Sequence, residues 1–276
     1  AQPQPLNETM IGGTVGEVVE SRNSKFAVGD KVVGMGGWQQ FSTASGKGDI
    51  SKVDTTHIPL SAYLGSVGMP GMTAWYGLMK ICEPKAGETV CVDAASGAVG
   101  SVVGQLAKLK GMHVVGIAGG VEKCAYVKNE LGFDDCIDYK AFPDPKAFYS
   151  ALKAVTPRGI DCHFENVGGT IMDAVMLRMN AFGRVAMCGM ISGYNGAPIP
   201  MMAPQLILQS RLEFQGFIVS EHMNLWPEGL TELGGYVASG KIKFRESITD
   251  GLANAPQSFL DLLKGKNFGK QLVKLV

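Results

Sequence analysis

Apolar positions recur along the chain with two different periods, and the change falls near residue 67. Before it, short runs alternate valine with small or polar residues, as in GGTVGEVVES and DKVVGMGGWQQFS. Bounded by Gly and Asp-Lys turns, these runs predict a twisted, barrel-like β-unit over residues 1–66. Beyond it the period lengthens. ETVCVDAA is an apolar run of strand length. It leads through a glycine turn into SVVGQLAKLKG, where Val102, Val103, Leu106, Ala107 and Leu109 share a helical face and Gly111 ends it. The strand HVVGIAG, the helix EKCAYVKNELG and the strand DDCIDY follow. A helix near Pro145–Val155, the strand GIDCHFE, the helix GTIMDAVMLRM and the strand GRVAMCG continue the series. Such alternation predicts a doubly wound parallel sheet with right-handed crossovers over residues 67–222. Residues 223–276 break it, with the helix PEGLTELGGYVASG, the strand KIKFRESI, the helix PQSFLDLLKG and the strand KQLVKLV. They read as the returning half of the first β-unit, which makes the doubly wound part an insertion.

Composition narrows the partner. With 276 residues, 46% of them hydrophobic, the chain can bury one large core or two smaller ones. Its 25 basic and 25 acidic residues cancel, so no long-range field draws it to nucleic acid or anionic lipid. A small-molecule substrate is expected instead. No apolar run reaches the roughly eighteen residues of a membrane span. AQPQPLNETM lacks the basic start and apolar stretch of a signal peptide, and lacks an initiator Met, so the chain is expected to begin inside a structure. None of the six cysteines lies in a CxxC pair, and several sit in strand-like runs such as TVCVDAA and RVAMCG. They read as reduced core cysteines of a cytoplasmic protein rather than disulfides or zinc ligands. The four histidines form no helical ligand pair, and His163, in IDCHFEN, reads as a satisfied core histidine.

The candidate chemistry lies in the middle region. Val90–Ala94 supplies a strand, Ala95-Ser96-Gly97-Ala98-Val99-Gly100 a turn, and Ser101 onward a helix. A helix start offers unpaired N–H groups and a partial positive end, and small residues let a pyrophosphate approach closely. Ala95 replaces the first glycine of the common pattern, which loosens the fit. A purely structural glycine turn is the alternative. The second strand ends in Gly119-Gly120 with no acid to bind a ribose 2′-hydroxyl, and Lys123 follows. A cation there suits a 2′-phosphate and hence NADP(H), although a lysine merely solvated in the first helical turn is the competing reading.

MPGMTAWYGL, KAGETVCVDAASGAVGSVVGQLAKLKG, IAGGVEKC, LGFDDCIDYK, FENVGG, CGMISGYN, GFIV and GKNFGK occur in order along nearly the whole chain. The chain therefore resembles the zinc-independent medium-chain dehydrogenase/reductases. Within them it is similar to the prostaglandin, alkenal and curcumin reductase group, nearest the bacterial curcumin-reductase branch. The resemblance implies a Rossmann domain inserted in a GroES-like β-barrel catalytic domain whose first strands are missing here. It implies that Gly97, Ala98, Val99 and Gly100 wrap the pyrophosphate, and that Lys123 and Tyr139 hold the 2′-phosphate and adenosine end. Asn166 would bind a ribose. Cys188, Gly189, Met190, Ile191, Ser192, Gly193 and Tyr194 would line the path to the nicotinamide. Phe217, Ile218 and Val219 would lie beside it, Asn267 would close over the cofactor, and Thr73 would face the nicotinamide from a loop. On their own, Tyr139 and Phe217 read equally as core aromatics, and Asn166 and Asn267 as turn formers.

Two departures and one absence bear on chemistry. Part of the substrate pocket belongs to the missing strands, and Gln209 stands where the prostaglandin branch carries a tyrosine. GMPGMTAWYG has no cysteine where zinc-dependent relatives place one, and no four-cysteine lobe is present, so no metal is expected. The implied activity is reduction of the C=C bond of an α,β-unsaturated aldehyde or ketone. Charge collecting on the carbonyl oxygen needs donors placed in advance, with Tyr194 and the nicotinamide ribose hydroxyl as candidates. Tyr194 could instead pack against the cofactor. Quinone reduction is the alternative activity, and a non-catalytic NADPH-binding sensor or scaffold the alternative of another class. Relatives imply a homodimer, with EFQGFIV as a candidate edge strand, or else an interior strand of the same sheet.

Overall fold

The computed structural model describes residues 3–196 and 198–276. The valine-alternating runs form β1 (Thr14–Glu17), β2 (Lys31–Gly34) and β3 (Ile50–Lys52), an antiparallel sheet in that order. Helix α1 (Met69–Tyr76) follows and continues into a π-helical turn, Gly77–Cys82. Gly77 is needed there, because a Cβ would stand 2.5 Å from the Phe164 ring.

Six strands, β4 (Thr89–Val92), β5 (His113–Ala118), β6 (Asp135–Asp138), β7 (Ile160–Glu165), β8 (Met179–Met187) and β9 (Glu213–Gly216), make a wholly parallel sheet. Its order is β6-β5-β4-β7-β8-β9. The chain winds outward from β4, then returns to place β7 at β4's other side, so the winding direction switches between β4 and β7. Crossovers run through α2 (Gly100–Leu109), α3 (Val121–Asn129), α4 (Pro145–Val155), α5 (Gly169–Met176) and α6 (Gln205–Ser210). All four residues of β4 are buried. Val90 and Val92 join a core with α1 and α2, while Cys91 joins a core with α4 and α5 on the opposite face. Burial on both faces is why this strand reads as an unbroken apolar run. β9 pairs with β8 alone, so it is the sheet's edge rather than an interior strand.

The last segment forms α7 (Trp226–Ala238), β10 (Glu246–Asp250), α8 (Ala255–Leu263) and β11 (Lys270–Lys274), with β10 and β11 parallel. It returns to the first β-unit: Trp38 meets Phe259 edge-on at 6.2 Å, and Gln40 Nε2 donates to the Leu275 carbonyl. Two strand expectations shorten. KIKFRESI is extended in a ladder only from Glu246, because β11 pairs no earlier. Before that, the Lys243 N–H and C=O are both taken by the Gln105 side chain, at 2.8 Å each. Likewise EFQGFIV is strand only over Glu213–Gly216, and Phe217–Val219 leave the sheet. No helix among the described residues is long and apolar enough to cross a membrane.

Helix α2 lies on the sheet by way of Gly104, whose added Cβ would stand 1.8 Å from Cζ of the buried Phe133. Gly104→Ala is expected to destabilise the protein by about 1–3 kcal/mol, the range for overpacking a filled core. That outweighs a helix-propensity gain of at most about 1 kcal/mol. Urea denaturation checks it, and a stabilised variant would refute the contact.

Candidate active site

The turn after β4 brings backbone against backbone. Ala94 takes a left-handed φ of 44°, its carbonyl accepts from Gly97 N at 2.8 Å, and a Cβ on Gly100 would stand 2.6 Å from that same oxygen. The first helical amide bond is Ser101 N to Gly97 O, so the amides before Ser101 precede any intrahelical acceptor. Ala95 does not loosen the turn. Its methyl is accommodated by Gly116 of β5, where a Cβ would meet it at 2.9 Å. The glycine requirement has moved to the neighbouring strand. Across the turn, Gly97 forms a parallel bridge with Gly269, so the GKNFGK segment lies directly on this turn. Asn267 there is a turn former, its Nδ2 donating to Gly269 O at 2.7 Å.

The tip of β5 is shaped from two strands. Gly119 has no Cβ, and one would meet the Tyr139 ring at 2.9 Å and the Lys140 stem at 3.0 Å. Tyr139 is exposed, so it is not a core aromatic. Asp138, at the tip of β6, turns its carboxylate inward to accept from Gly120 N and Lys140 N. An acid is therefore present beside the tip, with one of its oxygens, Oδ1, taken by the backbone. Lys123 is not simply solvated: its Nζ donates to the Gly265 carbonyl at 2.7 Å. Partial burial and the neighbouring Lys140 lower its pKa. Lys140 escaped the sequence reading because it follows β6, and only strand adjacency brings it to β5.

At the ends of β8 and β9 opens a cleft of about 370 Å³, lined by Met187–Met190, Gly216–Ile218 and Glu221. Phe217 has a double role: it lines this cleft and packs on Tyr76 and Phe164 at 5.3 and 6.3 Å. Val219 is buried, and its carbonyl accepts from Trp226. Tyr194, 61% exposed, follows the 3-10 turn Ile191–Gly193, and Met190 N donates to its hydroxyl oxygen. The phenolic proton is thus left for an outside acceptor. Ser192 anchors this loop, its hydroxyl donating to Val167 O. Thr73 departs from expectation: it lies inside α1 rather than in a loop, and its hydroxyl donates to Met69 O, the i−4 carbonyl. Asn166 is held through its backbone N–H to Asp93 Oδ1 (2.7 Å) and through Nδ2 to Asp93 O (3.1 Å).

Beneath Asn166 lie three wholly buried titratable groups, Asp93, His163 and Glu165. His163 is satisfied, as a core histidine must be: its ring nitrogens sit 3.1 Å from Cys91 O and 3.0 Å from Glu165 Oε2. Burial acts to raise the Glu165 carboxyl, but the His163 contact, with help from Asp93 and the Gly168 amide, outweighs it and holds the group at about 2. Burial, then the adjacent Glu165, push Asp93 well above the carboxylate range.

Comparison with known proteins agrees with this geometry. A family model described as zinc-binding dehydrogenase matches residues 98–234, and one described as the N-terminal domain of oxidoreductase matches residues 1–53. The chain is 44% identical to the NADPH-dependent curcumin reductase of Escherichia coli (strain K12), over 99% of this chain and 80% of that protein. It is 47% identical to prostaglandin reductase 1 of Rattus norvegicus, over 97% and 82% of the two chains. The crystal structure of CurA from Vibrio vulnificus in complex with NADPH superposes with a TM-score of 0.92 at 44% identity, covering 100% of this chain and 82% of that one. The chain belongs to the medium-chain dehydrogenase/reductase family, in its prostaglandin and curcumin reductase group.

In this medium-chain reductase, Cys188 lines the cleft but is no nucleophile. Burial, then the Asp93 and Glu165 carboxyls, push its thiol up to about 12. The neutral form therefore persists until the pH nears that value, and only the thiolate attacks electrophiles. Iodoacetamide at about pH 8 is expected to leave Cys188 unmodified in the folded protein. Peptide mass mapping checks this, and rapid alkylation would contradict it.

Proposed function

We propose that this chain is an NADPH-dependent oxidoreductase that reduces the C=C bond of α,β-unsaturated aldehydes and ketones, without zinc. One observation carries the reading. The cleft bounded by Cys188–Met190 and Phe217–Ile218 opens on the same strand ends as the glycine cradle at Gly97–Gly100, with the Tyr194 hydroxyl beside Gly189. Without a Cβ at Gly100 the helix start closes on the Ala94 backbone, and the free amides of that turn suit a pyrophosphate. The reductase names of the relatives supply the substrate class.

Bound NADPH supplies the hydride. The residues of the chain do the rest. Amides at Ala98–Gly100 face the pyrophosphate, and Lys123 and Lys140 offer the 2′-phosphate two cations. Tyr139 flanks the adenosine end, and Asn166 reaches a ribose. Thr73, Phe217 to Val219, and Asn267 shape the nicotinamide end. Tyr194 donates its phenolic proton as a hydrogen bond to the substrate carbonyl oxygen, which gains negative charge when the β-carbon is reduced, and water then delivers the proton that the α-carbon takes up. Zinc does not fit the donor set. Asp93, His163 and Glu165 are the one described group whose ligating atoms come within 4.8 Å of one another, and the His163 and Glu165 atoms already bond each other and the backbone. The six free cysteines suit a reducing cytoplasm. Two copies pair through the edge of β9, which sedimentation velocity separates from a monomer.

The test is NADPH oxidation with a simple enone, a simple quinone and no acceptor, with the saturated product identified. Consumption with the quinone alone, or with neither, overturns the reading. Lys123→Ala and Lys140→Ala are each expected to raise KM for NADPH about tenfold or more while leaving NADH nearly unaffected, since each removes a charge-assisted contact to the 2′-phosphate. Equal effects on both cofactors would place the lysines elsewhere. Tyr194→Phe is expected to lower kcat by roughly ten- to a hundredfold with NADPH affinity unchanged; full turnover in that variant would remove the tyrosine from the reaction.

A further inference from the structure

The mechanism uses none of the side chains of Asp93, His163 and Glu165, yet they sit where the winding of the sheet switches, between β4 and β7. Charged groups taken wholly out of water are tolerated only when their protons and partners match. Here the hydrogen-bond partners specify the protons. His163 Nδ1 lies 3.1 Å from the Cys91 carbonyl, an acceptor only, so Nδ1 carries a proton. His163 Nε2 lies 3.0 Å from Glu165 Oε2, so one proton lies between them. Glu165 Oε1 already accepts two backbone N–H groups, from Val167 at 2.6 Å and Gly168 at 2.7 Å, which favours the ionised carboxylate and leaves the shared proton on Nε2.

Asp93 completes the set. Its Oδ1 accepts from Asn166 N, while Oδ2 is buried with no donor in reach and 4.0 Å from His163 Nε2. The ligating atoms of Asp93 and Glu165 are both acceptors and lie within 4.8 Å of each other. A proton on Asp93 turns that opposition into a hydrogen bond and brings the buried group to zero net charge.

We infer that Asp93, His163 and Glu165 are a buried positioning unit, held as neutral acid, imidazolium and carboxylate, which fixes the Asn166–Gly168 turn under the cofactor. The inference rests on the reading of Asn166 as a ribose contact. The turn is also the node of the cleft. Glu165 O accepts from Cys188 N and Gly189 N at 2.9 and 3.0 Å, and Asn166 O accepts from Ile191 N at 3.1 Å. A slip of this turn therefore moves both the ribose contact and the cleft wall.

Amide replacements at the two carboxyls discriminate, because an amide imitates a neutral acid and not a carboxylate. Asp93→Asn keeps an acceptor for Asn166 N and offers N–H to Glu165, so NADPH Kd is expected to stay within about twofold. Glu165→Gln sets an N–H against either His163 or the backbone amides. Its NADPH Kd is expected to rise about tenfold or more, with kcat at saturating NADPH changed far less. Equal damage in both variants overturns the proton assignment. A folded Glu165→Gln with unchanged NADPH Kd overturns the positioning role. Should that variant not fold, 15N NMR of the unmodified protein decides: His163, the buried one of four histidines, must show both ring nitrogens protonated at neutral pH, and a bare nitrogen refutes the unit. Asn166→Ala serves as the separate control. If it leaves NADPH Kd unchanged, the ribose contact fails and the positioning role with it, whereas the NMR result still stands or falls alone.

Discussion

Everything on the cofactor side depends on one close approach, the backbone of Ala94 to Gly100 with no Cβ between them. A non-glycine residue in the left-handed region costs on the order of 1 kcal/mol, and Ala94 accepts that cost within a turn closed by the Gly97 hydrogen bond. The same economy of space extends outward. Gly116 makes room for Ala95, Gly104 lets α2 settle on Phe133, and Gly269 bridges to Gly97. Small residues here serve proximity more than flexibility: of these three, only Gly269 also has a positive φ.

The two ends of the central sheet carry buried charge for different purposes. At the amino end, Arg184 of β8 pairs with Glu88 and contacts Cys162 Sγ at 3.0 Å, tying the strands together away from the cleft. At the carboxyl end, Asp93, His163 and Glu165 engage each other and the turn leaving β7. In a parallel sheet, ligands bind outside the carboxyl ends of the strands at the switch in winding. The polar interior of this end therefore lies just beneath the surface that must be held in register. Burial above all keeps the Cys188 thiol neutral, which leaves an inert wall in the cleft.

The period of apolar residues determined much of the fold. Strand and helix lengths in the middle region follow from burial on two faces or on one, and the α4 boundaries, Pro145–Val155, coincide with expectation. The glycine turn, the bare Gly119-Gly120 tip and Lys123 stand out as candidates in the sequence because a phosphate would demand small residues and cations at fixed offsets along one strand–turn–helix unit. Gaps arose where pattern is not pairing. KIKFRESI has strand composition throughout, yet Gln105 claims the backbone of Lys243; Thr73 lies in a helix because the run Met69–Tyr76 packs as one.

What tertiary structure alone decided is adjacency between distant segments. Lys140 reaches the tip of β5 only because β6 lies beside it, and Asp138 Oδ1 is engaged by the Gly120 and Lys140 amides, contacts that no spacing rule reveals. Asp93, separated from Glu165 by 72 positions, meets it because β4 and β7 are neighbours. Local sequence carries the propensities and periods that act within one element. The protonation of a buried group is set by whatever the fold packs against it.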